Sequence, residues 1–66
     1  MLDELRVRQM CIKNNWFTGG SNEQYDKMFH LVKTNAPVPQ VAVAIWLCTP
    51  NVPRVEIESK LRSISF

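Results

Sequence analysis

The 66-residue chain lacks several features that would point to a particular class of protein. It has one histidine and only two glycines, Gly19 and Gly20. Its longest apolar run, residues 41–48, is far shorter than the roughly 20 residues that a membrane span needs. The opening segment, MLDELRVRQ, mixes acids with bases and does not read as a secretory signal. We therefore expect a soluble cytoplasmic protein without a membrane segment.

A strong excess of one charge is also missing. Eight basic residues face six acidic ones, which gives a net charge of +2 at pH 7. Strongly basic nucleic-acid clamps and acidic DNA mimics usually show larger imbalances. Apolar residues make up 45 % of the chain, which is ordinary for a globular domain and too high for a disordered one. The length allows a single small domain over residues 1–66, of marginal stability.

Cysteine and histidine are too sparse to indicate a reactive site. Cys11 and Cys48 could form one disulfide, but nothing marks an oxidising compartment, so free thiols are expected. Structural zinc sites bring ligands in close pairs, whereas Cys11, His30 and Cys48 are single and widely separated, even with Asp26 one helical turn before His30. A Cys–His nucleophilic pair would need an orienting group and an oxyanion pocket, and neither has a local signature. We expect no catalytic residue, no metal and no cofactor.

The first two of four helical segments are read from apolar spacing and end signals. Residues 2–14 contain no glycine or proline, and Asn14-Asn15 suits the helix end because asparagine tolerates the left-handed conformation. Two apolar stripes on this segment predict contact with two neighbours: Leu2, Leu5 and Ile12 on one side, and Val7, Met10 and Cys11 on the other. Residues 21–34 begin with a capping box of Ser21 and Gln24. One face of this helix carries four apolar or aromatic residues: Tyr25, Met28, Phe29 and Val32.

The third segment, residues 38–48, permits two interpretations. Alternating apolar residues in 41–48 suit a buried strand, but no convincing partner strand exists elsewhere. A helix with Pro39 in its first turn also fits, and its apolar surface would suit a helix surrounded by the others. A fourth helix is expected over residues 52–64, with Asn51 as its cap and Pro53 in its first turn. The predicted fold class is therefore all-α: a compact bundle of four short helices, 2–14, 21–34, 38–48 and 52–64.

The segment between the first two helices carries the strongest functional suspicion. Gly19-Gly20-Ser21 could bind an anion at a helix start, but Glu23 and Asp26 would repel phosphate, so the glycines are expected only to turn the chain. Four aromatic residues could stack on bases but are expected to be core: Trp16, Phe17, Tyr25 and Phe29. Trp16 is kept as an exception because its polar, glycine-containing turn makes full burial difficult. The predicted partner-binding residues are Trp16, Phe17 and Lys27.

The alternative is a helix-turn-helix over residues 41–62. Its second helix would present three basic residues to DNA: Arg54, Lys60 and Arg62. Trp46 stands where a small turn residue is usual, and Pro53 limits where the second helix begins. Glu56 and Glu58 on the same helix would oppose phosphate. Nucleic-acid binding is therefore the second choice.

Two strings carry a resemblance: NWFT-x-G-x-x-x-QY-x-K-x-F over residues 15–29 and VA-x-AIW-x-C over residues 41–48. They resemble small, largely uncharacterised helical proteins of phages and mobile elements of Gram-positive bacteria, over about residues 11–62. The resemblance implies a chain that binds host or phage machinery, as repressors, antirepressors and inhibitors of defence nucleases such as anti-CRISPR proteins do. It implies no catalytic residue. We expect a non-enzymatic protein-binding module with a protein partner.

Overall fold

The computed structural model of the protein describes residues 1–17 and 21–65. These residues form four α-helices: α1 (Glu4–Lys13), α2 (Asn22–Lys33), α3 (Val38–Leu47) and α4 (Arg54–Ser63). None of the residues described lies in a β-strand, so the strand interpretation of residues 41–48 is wrong. The predicted all-α bundle of four short helices is confirmed: α3 begins at the predicted residue, and every other helix end lies one or two residues inside the predicted one.

Side chains and asparagine turns define both ends of α1 and α2. The carboxylate of Asp3 accepts a hydrogen bond from the amide of Arg6 at the start of α1. Ser21 and Gln24 form the predicted capping box, with bonds of 3.3 and 2.9 Å. Asn15 and Asn35, with φ of 56° and 60°, follow the two helix ends.

Each of these asparagines is the left-handed residue of a Schellman motif. At the end of α1, the amide of Trp16 bonds to the carbonyl of Cys11 and the amide of Asn15 to that of Ile12. At the end of α2, the amide of Ala36 donates to the carbonyl of Leu31 and the amide of Asn35 to that of Val32. The chain therefore turns sharply back after each helix.

Proline determines where α3 and α4 begin. Pro37 is the N-cap residue of α3 and Pro39 lies in the first turn, as predicted. Pro53 is the N-cap residue of α4 and no side chain caps that helix. The prediction that Asn51 caps a helix beginning at residue 52 is wrong, because the proline ring favours an extended conformation in the residue before it.

The core lies between all four helices. It includes the second predicted stripe of α1, the inward face of α2 and one side each of α3 and α4; its fully buried members are Val7, Cys11, Met28, Val41, Ala42, Ile45, Ile57 and Leu61. Helix α3 packs against both α2 and α4, and α1 packs against α2. Of the first α1 stripe only Leu2 is buried, whereas Leu5 and Ile12 are exposed. The prediction that this stripe packs against a neighbouring element is therefore wrong for Leu5 and Ile12.

The four helices are short, with 10 to 12 residues each. Over residues 1–17 and 21–65, none of the helices combines the length and the apolar composition of a membrane span. The longest, α2, has 12 residues and carries several charged side chains.

Candidate protein-binding face

Trp16 and Phe17 belong to the core. Only 3 % of the surface of Trp16 is exposed to solvent, and Phe17 is buried to a similar extent. The prediction that Trp16 is exposed in its turn is therefore wrong. The Schellman motif at Asn15 and a second positive φ at Phe17 turn the chain back onto the bundle, so polar neighbours in sequence do not keep these rings in solvent. The predicted glycine turn at residues 19 and 20 lies outside the residues described.

Contacts from α2 and α4 hold the two aromatic residues in place. The Phe17 ring lies 4.4 Å from that of Tyr25, centroid to centroid. The Lys60 ammonium lies 6.0 Å from the centroid of Trp16 and donates a 2.8 Å hydrogen bond to Asn14 Oδ1. These contacts give the pair a structural role, because side chains so enclosed present no surface to a partner.

Lys27, the third predicted partner-binding residue, is exposed on α2. Its ammonium lies 3.7 Å from the carboxylate of Glu23, one turn earlier. Both side chains extend into solvent, so this pair contributes little to stability. Lys27 borders two neighbouring grooves between α2 and α3, which makes it the one predicted partner-binding residue on an accessible surface.

The two grooves form one shallow depression, because Lys27 and Ala44 line both. The larger, about 680 Å³, is bordered by three further polar residues of α2 (Glu23, Asp26 and His30) and by Leu31. The smaller, about 200 Å³, extends to Leu47 and Cys48 at the end of α3. Apolar atoms form most of the lining, whereas the charged groups come only from α2.

The outward side of α3 is apolar and exposed. We call Val43, Ala44, Trp46 and Leu47 the α3 face. Leu47 is 66 % exposed and Trp46 is 37 % exposed, while Val43 and Ala44 are half-buried. Residues 34–53 contain no Asp, Glu, Lys, Arg or His, so no charge interrupts this face along the helix.

The exposure of α3 corrects the prediction that the other helices surround it. Only one side, with Val41, Ala42 and Ile45, is fully buried. With four helices, each lies at the perimeter and keeps one side toward solvent. The apolar composition of this segment predicts that Trp46 and Leu47 are buried, but both lie on the solvent side of α3. They were therefore not predicted as residues of the binding face.

The basic residues of the alternative DNA-binding helix are mostly paired. The Lys60 ammonium lies 3.8 Å from the carboxylate of Glu56, one helical turn earlier, and Arg62 pairs with Glu58. Among the residues described, Arg54 has no acidic partner. The connection over residues 48–53 is also longer than the three or four residues of a helix-turn-helix.

The two cysteines are free and buried, as expected. Burial raises the pKa of the Cys11 thiol to about 12 and also raises the pKa of Cys48. Both are therefore protonated at neutral pH, which disfavours nucleophilic attack by a thiolate. Within the part of the chain that the structure describes, no three His, Cys, Asp or Glu side chains are placed to hold a metal ion.

Neither the protein-family models, nor the characterised proteins, nor the solved structures contain a match to this chain. The resemblance to small helical proteins of phages and mobile elements stays a prediction.

Proposed function

We propose that this protein is a non-enzymatic module that binds another protein through the α3 face. The observation that carries the proposal is the exposure of Leu47 and Trp46 on a helix without a single charged residue. Solvent-exposed helix surfaces normally carry charged and polar residues, and contiguous apolar surface is typical of interaction sites.

The chemistry of the face suits an anchor for a partner. Tryptophan is among the side chains that most often dominate binding energy, and Trp46 retains enough exposed surface to contact a second molecule. Burying the exposed two thirds of Leu47 would contribute about 1–2 kcal/mol. Val43 and Ala44 extend the apolar surface toward the start of α3.

The rim on α2 supports the same function. Typical interfaces have an apolar centre and a polar, solvent-accessible rim. Here the α3 face and the groove beside it provide the centre, while Glu23, Asp26 and Lys27 provide the rim. Lys27 remains a predicted partner-binding residue in this proposal, with the α3 face in place of Trp16 and Phe17 as its neighbours.

The proposed setting is the cytoplasm of a Gram-positive bacterium, as the resemblance implies. There the protein would act as a phage or mobile-element regulator or as an inhibitor of host machinery, for example of a defence nuclease. Such activity needs a binding surface and no catalytic group.

A capture experiment with matched variants tests the proposal. The immobilised protein is incubated with a lysate of a Gram-positive bacterium, and retained proteins are compared for wild type, Leu47→Glu and Val55→Glu. Val55, 71 % exposed on α4, matches Leu47 in exposure, so it controls for the added charge. We expect a specific protein that is lost with Leu47→Glu and kept with Val55→Glu. Retention of every captured protein by Leu47→Glu would contradict the proposal.

A further inference from the structure

Among residues 1–17 and 21–65, the α3 face differs in its charge from the exposed apolar residues of α1 and α4. Helix α1 also exposes Leu5 and Ile12, but Arg8 lies between them in sequence and beside Ile12 in space. On α4, exposed Val55 lies between Arg54 and Glu56. The α3 face, by contrast, lies in a segment, residues 34–53, that contains no Asp, Glu, Lys, Arg or His.

This property matters for contact between identical chains. A two-fold interface places the same patch on both subunits, so each charged group in it lies close to its own image. Like charges brought together in this way oppose association. The exposed apolar residues of α1 and α4 lie beside charged side chains, Arg8 with its partner Glu4 on α1 and Arg54 and Glu56 on α4, and a contact there would remove those charges from water. A two-fold contact through the α3 face would bury no charged residue of that face.

From this difference we infer that the α3 face binds a second copy of this chain, with the two α3 helices packed across a two-fold axis. The inference rests on the proposed function only in taking the α3 face as a protein-binding surface, and it adds a second copy of the chain as an occupant of that face. Leu47 and Val43 lie one helical turn apart and form the centre of the contact, with Trp46 beside them.

The rim on α2 is compatible with the same symmetry. It carries both signs, with Glu23 and Asp26 negative and Lys27 positive, all bordering the groove next to the α3 face. A mixed rim is complementary to its own image, because a two-fold rotation can bring Lys27 of one copy toward an acidic residue of the other. Asp26 forms no ion pair with another residue of the part described, so its carboxylate is available for this contact.

The size of the face sets the expected affinity. Helix α3 has 10 residues and is therefore about 15 Å long. A standard interface of about 800 Å² per partner would take nearly a fifth of the 4301 Å² that the chain exposes, and the α3 face with its groove is smaller than that. We therefore expect a weak dimer, with a Kd between about 10 µM and 1 mM.

Sedimentation equilibrium of the full chain between about 10 µM and about 2 mM tests the inference, with wild type, Leu47→Lys and Val55→Lys compared. The mean mass of wild type and of Val55→Lys should rise toward that of a dimer with concentration. Leu47→Lys should associate at least tenfold more weakly while keeping the helical circular dichroism of wild type. A wild type that stays monomeric throughout overturns the inference, as does a dimer that Leu47→Lys leaves intact or that Val55→Lys weakens equally.

The outcome is separable from that of the capture experiment. A monomeric wild type whose captured protein depends on Leu47 means that a different protein occupies the face, so the proposed function stands and the second copy is excluded. A dimer that depends on Leu47, without any captured protein that does, means that self-association is the role of the face and contradicts the binding of a different protein.

Discussion

The amide of Phe17 donates a 2.8 Å hydrogen bond to the hydroxyl of Thr49, 32 residues further along the chain. Thr49 is buried, directly after the residue that ends α3. The bond therefore ties the segment after α1 to the turn between α3 and α4. It also supplies an acceptor to a backbone amide that is shielded from water.

Thr49→Val should lower the free energy of unfolding by about 1–3 kcal/mol, because it leaves the buried amide of Phe17 without an acceptor. Urea denaturation followed by circular dichroism measures the change. Thr34→Val is the matched control: its hydroxyl donates to the carbonyls of His30 and Leu31 on an exposed helix end, where water can replace it. A loss at Thr49 no larger than at Thr34 would show that this bond contributes little.

Trp16→Ala should destabilise the protein by about 3–5 kcal/mol, because it removes a large buried ring and leaves a cavity. For so small a domain, such a loss is enough to unfold most of the population. Trp46→Ala removes a partly exposed ring and should cost much less. Thermal unfolding of both variants measures the contrast, and a stable, helical Trp16→Ala protein would contradict the core position of Trp16.

The stability of the protein should fall as the pH rises above about 9, in part because of Cys11. Its pKa is about 12 in the folded protein and near 9.0 otherwise, so between these values only the unfolded chain loses the proton. The unfolded state then binds fewer protons, and the free energy of unfolding decreases with pH by up to about 1.4 kcal/mol per unit for one group. Below pH 9 both states keep the proton and the effect vanishes.

Cys11→Ala should remove this contribution and give a shallower decline. Urea unfolding at about pH 8 and about pH 10.5 compares the variant with wild type. Tyr25 and Cys48, whose pKa values are also raised by burial, contribute to the decline that remains. An equally steep decline in Cys11→Ala would mean that Cys11 is not the source.

The protein should not shift random duplex DNA in a gel at about 100 µM and low salt, although non-specific DNA binders usually reach this affinity. Two of the three basic residues of α4, Lys60 and Arg62, are paired with acids on their own helix. A shift that Arg54→Glu abolishes and Lys33→Glu preserves would instead support the helix-turn-helix interpretation.

The sequence predicts the helices well because their end signals are local. The Ser21–Gln24 capping box, the left-handed Asn15 and the proline start of α3 each depend on a few neighbouring residues. The prediction of Asn51 as a cap was wrong because Pro53 places the start of α4 two residues later. This effect is also local, but here two neighbouring signals, Asn51 and Pro53, predict different helix starts.

The candidate site could be predicted only in part, because burial depends on residues far apart in sequence. Trp16 lies in a polar segment, yet α4 and the α3–α4 turn enclose that segment. Leu47 lies in an apolar segment, yet no element within residues 1–17 and 21–65 covers its side of α3. The composition of the neighbouring sequence predicts an exposed Trp16 and a buried Leu47. The arrangement of the helices instead buries Trp16 and exposes Leu47.

The opposite environments of the two tryptophans give the molecule two built-in optical reporters. Trp16, enclosed beside Lys60 and Asn14, should emit at short wavelength and resist quenching by acrylamide until the chain unfolds. Trp46, on the α3 face, should be quenched in the free protein and shielded when that face is occupied. With Trp16→Phe and Trp46→Phe as single-reporter variants, folding and surface occupancy can be followed as separate fluorescence signals without an attached dye.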